Sequence, residues 1–470
     1  MARTPEEIVS DLARDVLGPA PWSTLSLDRP IVRLPRPAAS HAAWRGLPET
    51  HLAKVFRHLP VPDLVRLGYL FTPRWREVWR LYPLYLHDRQ LASLPIPSSE
   101  VANAITNVLE EYVGGEDVDP GLGPVHTFRV ESTEWGLNHA DRWCGALRKG
   151  KVVEVVLFNR GSSDQLVHLP PRLLECTNVQ ILHLAFFTLE VGELAVFTDT
   201  NDLGLHGCAC PNGVIERVVK SCRFLKRLWV HDGAAMGSIV VKAARCLVSL
   251  SMLRTVSRSL TVDNVPLLVE LIPGSAGALS IGGAPELSGL VRLNLPDTTL
   301  KITDITLGSE ALEPQMPSVR KLWLVLDYTT LRRMGEHMVP RVVQQMLMRF
   351  PHLDRLIIER KDDVPQEEGM ASRDDAHTHG HLHLYHGLQV VTWRLHTLTL
   401  FDFRAGKAEL ELLKALMDRT HKLRTVELVY RDGRHGIGDA IAEVHFGLHQ
   451  FVLRSNNQSL SKFKLCLRFV

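Results

Sequence analysis

The stretch Lys220-Ser221-Cys222-Arg223-Phe224-Leu225-Lys226-Arg227-Leu228-Trp229-Val230, residues 220–230, holds the pattern that decides the fold. Its apolar positions are Leu225, Leu228 and Val230, an apolar-x-x-apolar-x-apolar spacing. Residues two apart on an extended chain project to one side. Leu228 and Val230 therefore face one core, and Leu225 sits at the turn before the strand. The same spacing recurs at Val152-Val155-Leu157, Val179-Leu182-Leu184, Leu247-Leu250-Met252, Leu290-Leu293-Leu295 and Val319-Leu322-Leu324. It returns at Leu353-Leu356-Ile358, Leu395-Leu398-Leu400, Leu423-Val426-Leu428 and Leu460-Phe463-Leu465. Between copies lie helical patterns such as residues 213–222. One such unit cannot cover its own apolar side, but copies stacked side by side share a continuous core. The expected fold class is α/β.

The copies resemble leucine-rich repeats, and Val219 to Leu228 is similar to the Cys-containing type often attached to F-boxes. The resemblance implies an irregular solenoid. The Asn usual after the strand is missing, which predicts irregular loops without its hydrogen-bond ladder. Residues between the inward positions should point out on the concave face. Those are Arg227 and Trp229, Arg292 and Asn294, Lys321 and Trp323, then Arg355 and Ile357. Flanking copies offer Glu154, Ser249, Thr397 and Thr425 instead. A basic stripe with two tryptophans is thus expected mid-arc, and Arg and Trp are favoured at binding hot spots. Arg227, Trp229, Arg292, Lys321, Trp323 and Arg355 are the candidate substrate-binding residues, with an acidic segment as the expected ligand. A plain solvated strand face is the alternative.

Toward the N-terminus, residues 45–89 form a different module. Leu52, Val55, Phe56 and Leu59 share one helical face. Leu59-Pro60 stops that helix, because Pro60 has no N–H to donate. Pro62-Asp63 opens a second helix carrying Leu64, Leu67 and Leu70. Thr72-Pro73 opens a third with Trp75, Val78 and Trp79 on one side. A module this small has little private core and needs a partner surface. Leu47-Pro48, Leu59-Pro60, Asp63-Leu64 and Arg74-Trp75-Arg76 closing with Trp79 resemble the F-box in order and spacing. Departures are Gly68 inside the second helix and Phe71-Thr72-Pro73, where the family often has a small residue or Cys. The resemblance implies docking on the Skp1 adaptor of a cullin–RING ubiquitin ligase. It also implies that Leu47, Pro48, Leu52, Val55, Leu59, Pro60, Leu64 and Trp75 face that adaptor or support the face.

Toward the C-terminus, Arg349 to Glu359, Leu398 to Gly406 with the apolar helix to Leu416, and Leu423 to Tyr430 resemble the FBD segment of plant F-box/LRR proteins. The expected organisation is an N-terminal helix and Pro/Ala-rich linker (1–44), an F-box (45–90), and repeats with a linking helix from Ser98 to Tyr112 (91–390). A C-terminal FBD-like segment (391–470) completes it.

Composition narrows the function classes. The chain has 470 residues, 45% of them hydrophobic, ample for two or three domains. Its formal charge of +2 gives no overall field for nucleic acid or an anionic membrane. Apolar runs are far shorter than the ~18 residues a membrane span needs. Seven scattered Cys contain no CxxC pair and read as free thiols of a reducing compartment. Acidic residues at positions 6, 7, 11 and 15 oppose a signal peptide, so a cytoplasmic or nuclear location is expected. His377, His379, His381, His383 and His386 crowd one stretch near Asp374 and Asp375. Imidazoles with carboxylates can hold zinc or copper, but the run lacks helical HExxH spacing and follows a polar segment, so loop histidines are expected and no metal. Gly436-Ile437-Gly438 fails the dinucleotide fingerprint, because Ile441 takes the third Gly position. No P-loop or GxSxG occurs.

These features point to a non-catalytic adaptor without cofactor. The resemblance implies a Skp1-like partner, a cullin through it, and a protein substrate of unknown identity, with no nucleic acid or membrane partner. The alternatives are an interaction scaffold without ligase role and a metal-dependent enzyme built on the His run.

Overall fold

A computed structural model describes residues 83–92, 98–114, 124–159, 166–233, 235–295, 298–302, 315–334, 338–361, 394–403, 422–430 and 464–469, with 409, 412, 413, 416 and 420. The described residues divide into two compact units, one ending at Val256 and one beginning at Ser257.

The first unit is built on β1 (Leu84–His87), β2 (Val125–Val130), β3 (Glu154–Phe158), β5 (Ile181–Ala185), β7 (Asp202–His206), β8 (Arg227–His231) and β10 (Ser249–Ser251). They lie side by side in that order, every pair parallel. Short strands β4 (Val167–His168) and β6 (Phe187–Thr188) pair in the return segments. Parallel neighbours need a crossover, and here the crossovers form a second layer. It contains α1 (Asp88–Ala92), α2 (Ser98–Val113), α3 (Leu137–Lys149), two 3-10 turns at Pro171–Glu175 and Glu193–Val196, α4 (Val214–Ser221) and β9 (Met236–Lys242).

Local chemistry explains these elements. In α2, Val101, Ile105, Val108, Leu109 and Tyr112 recur at helical spacing and are buried. The helix stops where Gly114 takes a φ of 77°. In α3, Ala140, Trp143, Cys144 and Leu147 are buried, and Trp143 donates its indole N–H to Thr106 Oγ1 of α2 at 2.7 Å. Helix α4 spans Val214–Ser221 within the helical pattern expected for 213–222.

The second unit repeats the plan with β12 (Glu270–Ile272), β14 (Gly289–Leu295), β16 (Lys321–Asp327), β17 (Arg355–Lys361), β18 (Thr397–Phe401), β19 (Thr425–Tyr430) and β20 (Lys464–Phe469), again parallel throughout. Its second layer holds strands β11 (Val256–Asp263), β13 (Ser275–Gly282) and β15 (Thr299–Ile302), then α5 (Tyr328–Met334) and α6 (Met338–Arg349). The inward rows are Leu271, Leu290, Leu322, Leu356, Leu398 and Val426, each 1% exposed or less.

Four features correct the sequence pattern. First, four returns are strands where helices are expected. For the first three, Leu228, Leu250, Leu271 and Leu290 stand 22, 21 and 19 residues apart, which leaves no room for a helix with its turns. The return strands alternate buried and exposed residues instead. Second, Leu290 pairs with Leu271 and Leu322, so it is a strand position and not the turn position. A bulge between Leu290 and Leu293 puts Arg292 at a φ of 59°. Third, Leu465 pairs with Val426 and Leu467 with Leu428, two residues beyond the register expected for the last copy. Alternation alone cannot separate registers that differ by two. Fourth, β1, β2, β7 and β12 are repeats that the spacing did not mark. In β7 the turn position is Thr200, buried, with its hydroxyl donating to Val179 O at 2.8 Å. β1 also takes Leu84–His87, residues within the expected 45–90 helical module, into the sheet.

The loops after the strands do have a hydrogen-bond ladder. Backbone N–H groups supply most of it, joined after β3 by Asn159 Nδ2, which donates to Phe186 O at 3.4 Å. Phe186 N donates to His206 O at 2.9 Å, Gly207 N to His231 O at 2.8 Å and Asp232 N to Leu253 O at 3.1 Å. Phe186, Gly207 and Asp232 all hold left-handed backbone, which turns the chain out of the strand.

The three-helix module up to residue 82, its residues Leu47, Pro48, Leu52, Val55, Leu59, Pro60, Leu64 and Trp75, and the His run 377–386 lie outside the described residues.

Candidate functional site

Side chains that leave each sheet on the face away from its leucines form the candidate site. In the first unit the register sets three rows across the strands. One reads Tyr85, Thr127, Glu154, Ile181, Asp202, Arg227 and Ser249. The next reads His87, Arg129, Val156, His183, Gly204, Trp229 and Ser251. The third contains Phe158, Ala185, His206 and His231.

This face is polar and tightly closed. Glu154 is buried and accepts a hydrogen bond from Thr127 Oγ1 at 3.1 Å. Burial raises its pKa, with Arg129 opposing the shift from 4.0 Å. Asp202 is buried between His183 Nε2 at 3.4 Å and Arg227 Nη2 at 2.7 Å. His183 and His206 stack at 6.1 Å, His206 meets His231 edge-on at 5.2 Å, and Trp229 meets His231 edge-on at 5.5 Å. Burial pushes the His206 pKa down to about 3 and holds that of His231 well below its usual range. Both imidazoles are therefore neutral near pH 7. Gly204 makes this closeness possible: a Cβ there would sit 2.3 Å from His183 Nδ1.

The second unit's face is organised around one carboxylate. Glu359 accepts the indole N–H of Trp323 at 3.0 Å and a guanidinium N–H of Arg292 at 3.0 Å. Arg292 also lies 5.5 Å over the Trp323 ring, and Trp323 stacks on Phe401 at 5.8 Å. The left-handed backbone at Arg292 aims its side chain across two strands to reach Glu359.

The six candidate residues thus fall into three pairs. Arg227 and Arg292 are ion-paired to Asp202 and Glu359. Trp229 and Trp323 are buried within the face. Lys321 and Arg355 are register neighbours at the start of β16 and β17. Lys321 is exposed and Arg355 half-buried. The carboxylates that neutralise the two arginines are not visible in the repeat spacing, because each belongs to another strand. Asp202 in addition sits in a repeat disguised by Thr200 and Gly204.

Among the described residues no group of His, Cys, Asp and Glu converges to hold a metal ion. None of their helices is long and apolar enough to cross a membrane.

A family model described as FBD-associated F-box protein At5g56370, LRR repeats, matches residues 140–358. Over that stretch the chain is similar to the leucine-rich repeats of FBD-associated F-box proteins. An Arabidopsis thaliana protein named FBD-associated F-box protein At4g13985 is 24% identical over 194 residues, covering 40% of this chain and 41% of that relative. No solved structure matches the chain. The matched residues run from within α3 into β17, so they hold β3 to β10 of the first face and Arg292 and Trp323 of the second.

Proposed function

We propose that this protein is the substrate-recognition subunit of a Skp1–cullin–F-box ubiquitin ligase. The observation that carries the reading is the joint one: F-box anchors from Leu47 to Trp79, followed by repeats that match those of FBD-associated F-box proteins. In this reading residues 45–90 hold the F-box, and Leu47, Pro48, Leu52, Val55, Leu59, Pro60, Leu64 and Trp75 meet a Skp1-type adaptor, which brings the cullin. The repeats bind a target protein, with the C-terminal segment from 391 completing the array. The chain itself does no bond chemistry. It raises the effective concentration of the target beside the charged ubiquitin-conjugating enzyme. The cytosol and nucleus are the compartments where such an assembly works.

Co-purification with a Skp1-type adaptor tests the first half. The wild-type chain should retain the adaptor and the Leu47→Ala/Pro48→Ala variant should lose it. Ubiquitination of a captured partner in a reconstituted ligase tests the second half. Capture without ubiquitination would leave an interaction scaffold.

A further inference from the structure

Cations gather at one edge of the second unit, where its parallel strands begin. In most of the described repeats the residue just before the strand donates its N–H to the equivalent carbonyl of the preceding repeat. In the first unit that ladder runs Val153, Gln180, Asn201, Lys226, Val248, with N···O distances of 2.7–2.8 Å. In the second it runs Arg320, Asp354, His396, Arg424, with distances of 2.8–2.9 Å. The backbone is the same and the charge is not. Two residues earlier stand Arg394 and Lys422, and one residue later stand Lys321 and Arg355.

Six cations therefore share this edge: Arg320, Lys321, Arg355, Arg394, Lys422 and Arg424. Opposing them are Glu270, which acts on Lys321, and Asp354, whose Oδ1 is 3.7 Å from His396 Nδ1. Arg394, Lys422 and Arg424 are exposed and make no ion pair among the described residues. The buried Nε of Arg355 has no hydrogen-bond partner among them either. Adjacent strands lie ~4.8 Å apart, so the ladder from Arg320 to Arg424 spans about 14 Å. Like charges this close repel, and an anion laid along them relieves the repulsion.

We propose that this edge captures an acidic segment of the partner protein, with its carboxylates or phosphates on Arg394, Lys422 and Arg424. The proposal rests on the substrate-adaptor reading and names the chemistry of the substrate. Guanidinium groups suit both anions, because their planar N–H fork binds either in bidentate fashion. A short, interrupted row favours a peptide over nucleic acid: Asp354 would repel a continuous run of phosphates, whereas a peptide can place an uncharged residue there.

The test uses the full chain and fluorescence anisotropy. The probes are a labelled Glu/Ser repeat peptide, its phosphoserine version and a Gln/Ser version. The two anionic peptides should bind, more weakly as salt rises, and the Gln/Ser peptide should not. Arg394→Glu/Arg424→Glu should weaken binding at least about tenfold, and Arg394→Gln/Arg424→Gln should weaken it less. Lys226→Glu, at the equivalent edge of the first unit, should leave binding unchanged. Equal binding of all three peptides overturns the proposal, as does full binding by the Arg394/Arg424 variants. So does tighter binding of a single-stranded oligonucleotide to the same residues. Adaptor retention is measured on the same preparations. Peptide binding without adaptor binding sinks the ligase reading alone, and adaptor binding without peptide binding sinks this proposal alone.

Discussion

The two units share a backbone plan and differ in how they handle charge. In the first, ionisable groups are drawn onto the sheet face and closed in. Asp202 and Glu154 are each 1% exposed or less, His183 is 3% exposed, and the strand-start ladder is nearly neutral. In the second, the face is built of Trp323, Ile357, Phe401 and Val429 around Glu359, and Arg394, Lys422 and Arg424, exposed and without an ion pair among the described residues, stand at the strand starts. Repeats that are alike in backbone can thus serve different ends. One face is a rigid polar mosaic, and one edge is an accessible cationic strip.

The second unit also hides one ion pair in its core. Arg360, on the leucine side of β17, meets Glu409 at 3.3 Å and lies 4.7 Å over the Tyr328 ring. Both charged side chains are 5% exposed. Removing one partner strands the other in an apolar surround, so Arg360→Ala should lower stability by about 3–5 kcal/mol in urea denaturation. The counterpart in the first unit is Arg227 with Asp202, but Arg227 is 45% exposed. Solvent screens that pair, and Arg227→Ala should cost about 1–2 kcal/mol. Equal losses would erase the distinction between the units.

Glycines give a second comparison, with a smaller effect. An alanine at Gly204 places its Cβ 2.3 Å from His183, whereas at Gly289 the nearest atom is 3.8 Å away. Gly204→Ala should destabilise by about 1–3 kcal/mol and Gly289→Ala by far less. If both are silent, the close packing of the first unit's face is not needed for its stability.

Acid should act through the first unit. His206 titrates near 3 when folded, against 6.5 ordinarily. Between those values the unfolded chain takes up a proton that the folded chain refuses. This contribution to stability is full above about pH 6.5 and is lost as pH falls toward 3. Glu154 works in the opposite sense, since its raised pKa favours folding at low pH and loses that effect as pH rises. Urea midpoints at about pH 7 and about pH 5 should therefore differ, and His206→Phe should narrow the gap. An unchanged gap removes the imidazole cluster as the cause.

The smallest effect concerns thiols. Burial pushes Cys176 and Cys210 up to about 12 and Cys208 and Cys222 to about 11. Native labelling with a thiol reagent should reach the half-buried Cys246 and Cys466 first. Prompt reaction at Cys208 or Cys222 would show that the first unit opens readily.

Local signals in the chain were strong where one residue's neighbours in sequence decide its fate. The helix of Ser98–Val113 follows from its own apolar spacing and its terminal glycine. The repeat strands follow from alternation, as at Leu356 and Ile358, which are both buried. Return strands β9, β11 and β13 were hidden because repeat length, not local propensity, excluded a helix there. The site was only half legible. Arg227, Arg292, Lys321 and Arg355 are visible as cations between leucines, but their neutralisers lie 25 and 67 residues away from the first two.

By itself the sequence determined that this is a parallel α/β repeat protein with an F-box pattern ahead of it, because hydrophobic period and turn chemistry act over a few residues. Tertiary structure alone decided which charges survive. Strand register sets Asp202 beside Arg227 and Glu359 beside Arg292, and leaves Arg394, Lys422 and Arg424 in one exposed row. Coulombic neutralisation depends on distance in space, and residues become neighbours there only when the strands stack.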